Sequence, residues 1–326
     1  MKIKILILLI IQILSSLTWA APHKCMSLFD THPAEIPTEN KLDALRVAAV
    51  QFPLAEGRSA EDFLAKMKIF IDEAKQNGAQ LVVFPELITT ELVDWKSNNE
   101  TEQLVKIAQE FTPRYIEWLK HKSHQLNISI LGGTTPRLVD GKIFNSAVLA
   151  LPDGKVILQD KVFLTPDEKK WNWTAGQDFK AFDTPWGKTA ITTCFDCEFP
   201  IISQMMAKAQ PEVILVPSWT STESGLNRVD WTAKSRAIEH FSFVIKTGTV
   251  PDPKSAQIHF GKAGIITPQD QGFPAIPIEG KLNEASIIYG NLDLKLLRER
   301  RKTTGYYPAQ EQGQRAAPIN FMNDGL

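Results

Sequence analysis

Short apolar segments alternate with helix-like segments along most of the chain, and this alternation limits the folds that the chain can adopt. Residues 46–52 and 81–84 are β-branched and apolar enough for buried strands. Between them, apolar residues recur at helical spacing after Ser59, a good N-cap, and the run stops at Gly78. Strands separated by helices form sheets covered by helices, so the pattern predicts an α/β fold.

The same rules predict the later elements. A helical region over 101–126 restarts at Thr112-Pro113, and a strand over 128–131 ends at Gly132-Gly133. Pro152-Asp153-Gly154 predicts the turn of a hairpin. The hairpin arms are 144–151 and 155–161; after a long loop over 162–184 come strands 189–193, 213–216 and 241–247, helices 201–209 and 228–240, and weaker strands 264–267 and 285–291.

The amino terminus has the features of a secretory signal peptide. Lys2 and Lys4 precede an apolar run over 5–17, and small residues surround the predicted cleavage site after Ala20. The run is shorter than the roughly 20 residues of a membrane span, so we expect export to the periplasm or the outside without stable membrane insertion. The predicted organisation is a signal peptide over 1–21, an extended lead-in over 22–43, the folded domain over 44–300 and a C-terminal tail over 301–326.

Composition excludes several classes of function. The formal charge of −1 does not favour nucleic acid as a partner, so the basic run 295–302 is interpreted as a solvated helix face. Three cysteines are too few for a disulfide framework in a chain of 326 residues. His121 and His124 lie three apart on a predicted helix without a third candidate ligand, so no metal site is predicted.

Cys194 lies where a strand gives way to a helical segment, and three interpretations of it stay open. It can be a small buried residue, the partner of Cys197 in a redox-active C-x-x-C pair, or a covalent nucleophile. A helix start would favour the thiolate and lower the cysteine pKa from its free value of about 8.5. A nucleophile additionally needs a base and a stabilising donor from elsewhere in the chain.

Two charged residues share the placement of Cys194. Glu86 and Lys161, like Cys194, each follow directly after a predicted strand. Ligand crevices of α/β folds form at the carboxyl ends of strands, so we expect the three side chains to converge.

Three segments resemble the motifs of the nitrilase superfamily of carbon-nitrogen hydrolases. They are 84–87 (FPEL), 160–164 (DKVFL) and 194–200 (CFDCEFP), which occur in the family's order and spacing. The similarity extends over about 45–297 and includes 236–239 (RAIE). The resemblance implies a four-layer α-β-β-α sandwich, a homodimer and catalysis without a metal or organic cofactor.

The resemblance also implies roles for individual residues. Cys194 would attack an amide or nitrile carbon, and Glu86 would move protons. Lys161 and the backbone N–H of Phe195 would stabilise the charge that develops on the substrate. Glu168 would orient Lys161 or the amine. Ser218 and Trp219 resemble residues that line the substrate pocket.

The predicted function is that of an exported, thiol-dependent hydrolase of small-molecule amides, which releases a carboxylate and ammonia or an amine. An amidase is favoured over a nitrilase because Phe195 stands where nitrile-cleaving members commonly have tryptophan. A papain-like mechanism is disfavoured because its local signature is missing around every cysteine. The alternatives are a thiol-disulfide oxidoreductase that uses Cys194 and Cys197, and a non-catalytic binding protein. A reversible disulfide between the same two cysteines would inactivate the nucleophile Cys194.

Overall fold

A computed structural model describes residues 41–314, so the predicted signal peptide, Cys25, most of the lead-in and residues 315–326 of the tail lie outside the described residues. The strands are β1 (Ala44–Leu54), β2 (Leu81–Val83), β3 (Ser129–Val139), β4 (Lys142–Ala150), β5 (Val156–Asp160), β6 (Ala181–Thr184), β7 (Gly187–Ile191), β8 (Val213–Val216), β9 (Phe243–Lys246), β10 (Gly248–Pro251), β11 (Gly264–Ile266), β12 (Ile278–Glu279) and β13 (Ser286–Asp293). The helices are α1 (Ala60–Gln76), α2 (Glu100–Lys106), α3 (Thr112–Leu126), α4 (Pro166–Lys170), α5 (Pro200–Ala209), α6 (Glu223–Glu239), α7 (Leu294–Thr303) and α8 (Pro308–Gln314).

The strands form two sheets. The first has the order β10-β1-β2-β3-β4-β5, and β13 also pairs with β1. The second has the order β12-β11-β9-β8-β7-β6. The central pairs are parallel, including β1 with β2, β2 with β3, β7 with β8 and β8 with β9. Parallel neighbours bring the carboxyl ends of their strands to one edge of each sheet.

Three apolar clusters separate four layers. Side chains of both sheets, among them Val47 and Leu215, meet in a cluster between the sheets. The other face of the first sheet packs against α1 and α3 through residues such as Phe63 and Tyr115. The outer face of the second sheet packs against α5 and α6. This arrangement confirms the predicted α-β-β-α fold.

The helical region before β3 does not restart at Thr112. A π-helical turn over Ile107–Phe111 joins α2 to α3 without a break, and the Thr112 N–H donates to the Ile107 carbonyl. The wider turn accommodates Pro113, which has no N–H to donate. The Thr112 hydroxyl, predicted to cap the helix, instead donates to the Pro136 carbonyl at 2.6 Å.

The predicted end of one strand and one predicted loop were wrong. β3 continues past its glycines to Val139, because a shift of register between Leu131 and Thr134 accommodates them without ending the strand. The predicted loop over 162–184 contains the short helix α4 and strand β6. The capping box of α4, in which Thr165 and Glu168 exchange hydrogen bonds, is written in the sequence as Thr-Pro-Asp-Glu.

The basic run 295–302 is not simply a solvated face. It belongs to α7, where Arg298 donates to Glu212 at 2.7 Å and Arg301 donates to the Phe241 carbonyl at 3.0 Å. These contacts tie α7 to the second sheet. The predicted domain boundary at 300 therefore cuts through a helix, and beyond it Tyr307 and Ala309 are buried in the cluster between the sheets.

His121 and His124 are both exposed on α3, and the His124 ring contacts the Pro152 carbonyl. Among residues 41–314, no helix has the length and apolar character needed to cross a membrane.

Candidate active site

Glu86 lies at a sharp corner directly after β2. The corner is fixed by Thr134 of β3, whose hydroxyl accepts from the Leu87 N–H at 2.8 Å and whose N–H donates to the Pro85 carbonyl at 3.3 Å. Gly133 lies so close that a Cβ there would be 2.0 Å from the Pro85 oxygen. The bulge in β3 is therefore what leaves room for the corner. The corner directs the Glu86 carboxylate into the interior, and Glu86 is only 3% exposed.

Lys161 follows β5 and reaches the same place. Its ammonium donates to Glu86 Oε1 at 2.7 Å and to Glu168 Oε2 at 2.8 Å. Burial disfavours the charged form, yet the two carboxylates outweigh it and hold the pKa of Lys161 above its ordinary value. Lys161 therefore stays an ammonium at neutral pH.

Glu168 is held by the start of helix α4. Its Oε2 accepts from the Thr165 N–H at 2.8 Å and from the Thr165 hydroxyl at 2.9 Å. The capping box thus fixes a carboxylate that also touches the ammonium of Lys161. The sequence left open whether Asp167 or Glu168 would point inward; Asp167 is exposed and pairs with Lys170.

Asn145, on β4, connects the two glutamates. Its Nδ2 donates to Glu86 Oε1 at 3.0 Å and to Glu168 Oε1 at 2.6 Å. The side chain is fully buried, and its Oδ1 has no partner within the described residues. The sequence does not predict Asn145 as a site residue, because its two partners lie 59 and 23 residues away along the chain.

Cys194 opens a short 3₁₀ turn, Cys194–Glu198, that lies between β7 and α5. Its φ of 46° is in the left-handed region, which side-chain-bearing residues seldom adopt and which is retained mainly where the surroundings enforce it. One such restraint is its N–H, which donates to the Pro217 carbonyl at 3.0 Å. The turn presents the sulfur to the end of β8.

The Trp219 carbonyl oxygen lies 3.5 Å from Cys194 Sγ and is an acceptor for the thiol. The Glu86 carboxylate is close enough to act on the pKa of the thiol. Burial and then the charge of Glu86 raise the pKa of the thiol well above its ordinary value, whereas Lys161 lowers it. The expected lowering by a helix start was wrong, because α5 begins only at Pro200. A proton leaving this thiol can pass to Glu86.

The backbone after Cys194 offers a donor. The Phe195 N–H has no acceptor in the part of the chain that the structure describes. The next residue, Asp196, accepts from the N–H groups of Val162 and Phe163 at 3.1 and 2.7 Å. Asp196 therefore ties the turn of Cys194 to the segment that follows Lys161, and burial raises the pKa of its carboxyl to about 7.

The two predicted pocket residues differ in their contacts. Ser218 is buried and its hydroxyl donates to the Val216 carbonyl at 3.3 Å, a contact within the backbone turn. Trp219 donates its N–H to Glu86 Oε2 at 2.9 Å and places its carbonyl beside Cys194. Its partly exposed ring stacks on His259 with centroids 5.3 Å apart.

Cys197 is fully buried in the cluster between the second sheet and its helices. Burial raises the pKa of its thiol to about 11. The carbonyl of Cys197 accepts from Arg236 at 3.1 and 3.3 Å. A thiol enclosed in apolar packing is inert, so neither the redox pair nor the disulfide switch gains support.

The fold and the site define a class of enzyme that hydrolyses carbon-nitrogen bonds. The sequence profile of the family described as "Carbon-nitrogen hydrolase" matches residues 46–302, most of the chain. The protein belongs to the carbon-nitrogen hydrolase family.

Among its relatives, a "Probable hydrolase YhcX" of Bacillus subtilis is 31% identical over 265 residues, which cover 79% of this chain and 52% of that protein. The chain thus spans about half the length of this relative. The human "Omega-amidase NIT2" is 24% identical over 80% of this chain and 93% of its own. The crystal structure of Saccharomyces cerevisiae Nit3, a member of the nitrilase superfamily, superposes with a TM-score of 0.67 at 23% identity, over 81% of this chain and 95% of that one.

Proposed function

We propose that this carbon-nitrogen hydrolase is an amidase that cleaves small-molecule amides through a thioester on Cys194. The observation that carries the proposal is the convergence of a carboxylate, an ammonium and a thiol from three distant segments. Glu86 Oε1 lies 2.7 Å from Lys161 Nζ, and its Oε2 is bound by the N–H of the residue whose carbonyl lies beside Cys194 Sγ.

The first half of the reaction forms the thioester. Glu86 takes the thiol proton as Cys194 Sγ attacks the amide carbon, and the C=O electrons move onto oxygen. The Lys161 ammonium and the Phe195 N–H are the donors for this oxyanion. When the C–N bond breaks, Glu86 returns the proton to nitrogen, and ammonia or an amine departs.

The second half of the reaction restores the enzyme. Glu86 takes a proton from water as the water oxygen attacks the thioester carbon. The Lys161 ammonium and the Phe195 N–H again stabilise the oxyanion. The C–S bond then breaks, Glu86 returns the proton to sulfur, and the carboxylic acid leaves and loses its own proton to solvent. Glu168 and Asn145 remain in place throughout, because they hold Lys161 and Glu86 rather than touch the reacting atoms.

An amide is preferred over a nitrile for two reasons. The human relative at 24% identity is an omega-amidase by name. Phe195 stands where nitrile-cleaving relatives commonly carry tryptophan. No observation favours a thiol-disulfide oxidoreductase, since Cys197 is fully buried.

The proposal includes export and a homodimer. Export rests on the leader-like sequence of residues 1–21. A dimer is supported by an exposed apolar surface on the helices that cover the second sheet, formed by Ile201 and Met205 of α5 and by Trp231 and Ile238 of α6.

The test is a panel of primary amides, N-substituted amides and nitriles, with ammonia or amine release measured for the purified protein and for Cys194→Ala. We expect turnover of amides by the wild-type protein and none by the variant. Glu86→Gln should lower kcat by about 10²–10⁴, the usual contribution of a positioned general base. Equal turnover by the wild type and Cys194→Ala would refute the thioester mechanism.

A further inference from the structure

Four tryptophans and a histidine form a continuous aromatic wall beside Cys194, and the reaction proposed above does not use their rings. The rings of Trp219 and Trp95 meet edge to face with centroids 6.2 Å apart. Trp95 contacts Trp171 at 5.7 Å, and Trp171 contacts Trp173 at 5.2 Å. On the other side, Trp219 stacks on His259 at an interplanar angle of 24°.

The wall begins at a residue that contacts the catalytic side chains. The Trp219 N–H donates to Glu86, and the Trp219 carbonyl lies beside Cys194 Sγ, so the indole ring belongs to a residue in contact with both. Trp171 and Trp173 follow directly on helix α4, which holds Glu168. Trp95, Trp171 and Trp219 are each partly exposed and also pack against the core of the first sheet and its helices. Their exposed parts are available to a group bound beside Cys194, whereas Trp173 and His259 are buried.

Charge restricts what can lie against this wall. Glu86, Glu168 and Asp196 are buried carboxyl groups around a single ammonium, that of Lys161. Among the basic neighbours of the wall in the chain, Lys96 pairs with Glu56 at 3.0 Å and Lys170 pairs with Asp167 at 3.2 Å, whereas Lys169 is exposed. Burial lowers the pKa of His259 to about 4, so its ring is neutral. The buried ammonium of Lys161 is already paired with two carboxylates, and this pairing disfavours an anionic substrate.

We infer that the substrate is a neutral amide whose acyl group ends in an aromatic ring, and that this ring packs on the wall formed by Trp95, Trp171, Trp173, Trp219 and His259. The acyl group stays bonded to sulfur while the amine leaves, so it is the part of the substrate that remains beside Trp219. Aromatic pairs gain free energy beyond their buried area, which separates an aryl group from an aliphatic ring of similar size. This inference rests on the proposed amidase activity.

The experiment compares kcat/KM for 3-phenylpropanamide, 3-cyclohexylpropanamide, butanamide and succinamate. We expect the phenyl compound to exceed the cyclohexyl compound about fivefold or more, given the usual strength of aromatic pairs. Succinamate, which carries a carboxylate, should be hydrolysed more slowly than butanamide. Trp95→Leu and Trp171→Leu should bring the phenyl-to-cyclohexyl ratio towards one. Trp118→Leu, which alters a ring on α3 that stacks on Tyr115, should leave the ratio unchanged.

The possible results separate the two proposals. Turnover of all the neutral amides with a phenyl-to-cyclohexyl ratio near one would refute the aromatic substrate class and leave the amidase standing. A preference for succinamate would contradict the charge argument. A ratio that survives Trp95→Leu and Trp171→Leu would place the aryl group elsewhere. If no amide of any kind is hydrolysed, the amidase proposal fails, and this inference fails with it.

Discussion

Each oxygen of Glu86 already has a defined partner before any substrate arrives. Oε1 accepts from Lys161 and Asn145, and Oε2 accepts from the Trp219 N–H. Burial nonetheless raises the pKa of Glu86, with Lys161 acting in the opposite direction. A carboxylate with a raised pKa that stays hydrogen-bonded is suited to take a proton and return it within one catalytic cycle.

Asn145 should prove a positioning residue of this site. Asn145→Leu removes one donor from each of two buried carboxylates, and we expect kcat to fall about 10- to 100-fold, since an unsatisfied buried charge costs a few kcal/mol. Asn145→Asp instead adds a third carboxyl beside Glu86 and should raise the pKa of Glu86 further. The pH at which kcat/KM falls on the acid side should therefore shift upward in Asn145→Asp. A purely structural role would lower activity equally at every pH.

The buried carboxyl of Asp196 should make the free energy of unfolding depend on pH. Its folded pKa of about 7 exceeds the unfolded value of 3.8, so its contribution is fully present below pH 3.8 and is lost as pH rises through 7. Asp196→Asn removes this dependence. Relative to the variant, the wild-type free energy of unfolding should fall by about 2 kcal/mol between pH 5 and pH 8. Urea unfolding at the two pH values measures it; a constant difference would show that Asp196 does not titrate in this range.

At this scale, the sequence identified the residues that belong to recognisable motifs. Glu86, Lys161 and Cys194 follow strand ends and match family segments, so they could be named. Asn145 could not, because an amide on a strand has no signature until its partners 59 and 23 residues away are placed. The thiol pKa was also beyond the sequence, since burial and the nearby charge of Glu86 decide it.

Among the elements, strand β3 has the most specific requirement. Its bulge depends on Gly133, whose φ is +66° and whose Cα faces the Pro85 carbonyl. Glycine commonly ends a strand, so the sequence predicts that β3 stops at these glycines. Pairing with β4 on both sides of the bulge keeps the strand intact. Tertiary pairing overrode the local signal here, whereas α4 follows its local signal, the capping box of Thr165 and Glu168.

Gly133→Ala should therefore damage both stability and catalysis. The left-handed backbone and the clash with Pro85 together should cost about 2–4 kcal/mol in the free energy of unfolding. Because the clash moves the corner that carries Glu86, kcat should fall as well. Gly141→Ala is the matched control: its φ is +73° but no atom lies within 4 Å of the added Cβ. It should cost only about 1–2 kcal/mol and leave kcat unchanged. Equal losses in the two variants would argue against the role given to the corner.

For the whole molecule, the alternation of strands and helices was sufficient to predict the α/β class, and the family resemblance supplied the four layers. The sequence did not reveal how the last third of the chain is used. Helix α7 was expected to face solvent, yet Arg298 and Arg301 bind it to carbonyl and carboxylate groups of the second sheet region. Charged residues that pair at long range look like surface residues until the fold is known.

The proposed homodimer is tested at this scale. Trp231 and Ile238 are 67% and 47% exposed on the outer side of α6. If this surface joins two copies, Trp231→Glu combined with Ile238→Glu should convert a dimer to a monomer in sedimentation velocity. Ile69→Glu, which changes a 66% exposed residue of α1 in the opposite helix layer, should leave the dimer intact. A wild-type protein that sediments as a monomer at micromolar concentration would exclude the dimer.

Strand β1 binds β13 along eight residue pairs, from Ala44 with Asp293 to Gln51 with Ser286. A ribosome completes β1 long before it reaches β13, so the nascent chain carries an open, apolar hydrogen-bonding edge through nearly all of its synthesis. Any product that stops short of residue 286 keeps that edge and is exposed to aggregation. The edge of β1 is therefore covered only when β13 has emerged from the ribosome.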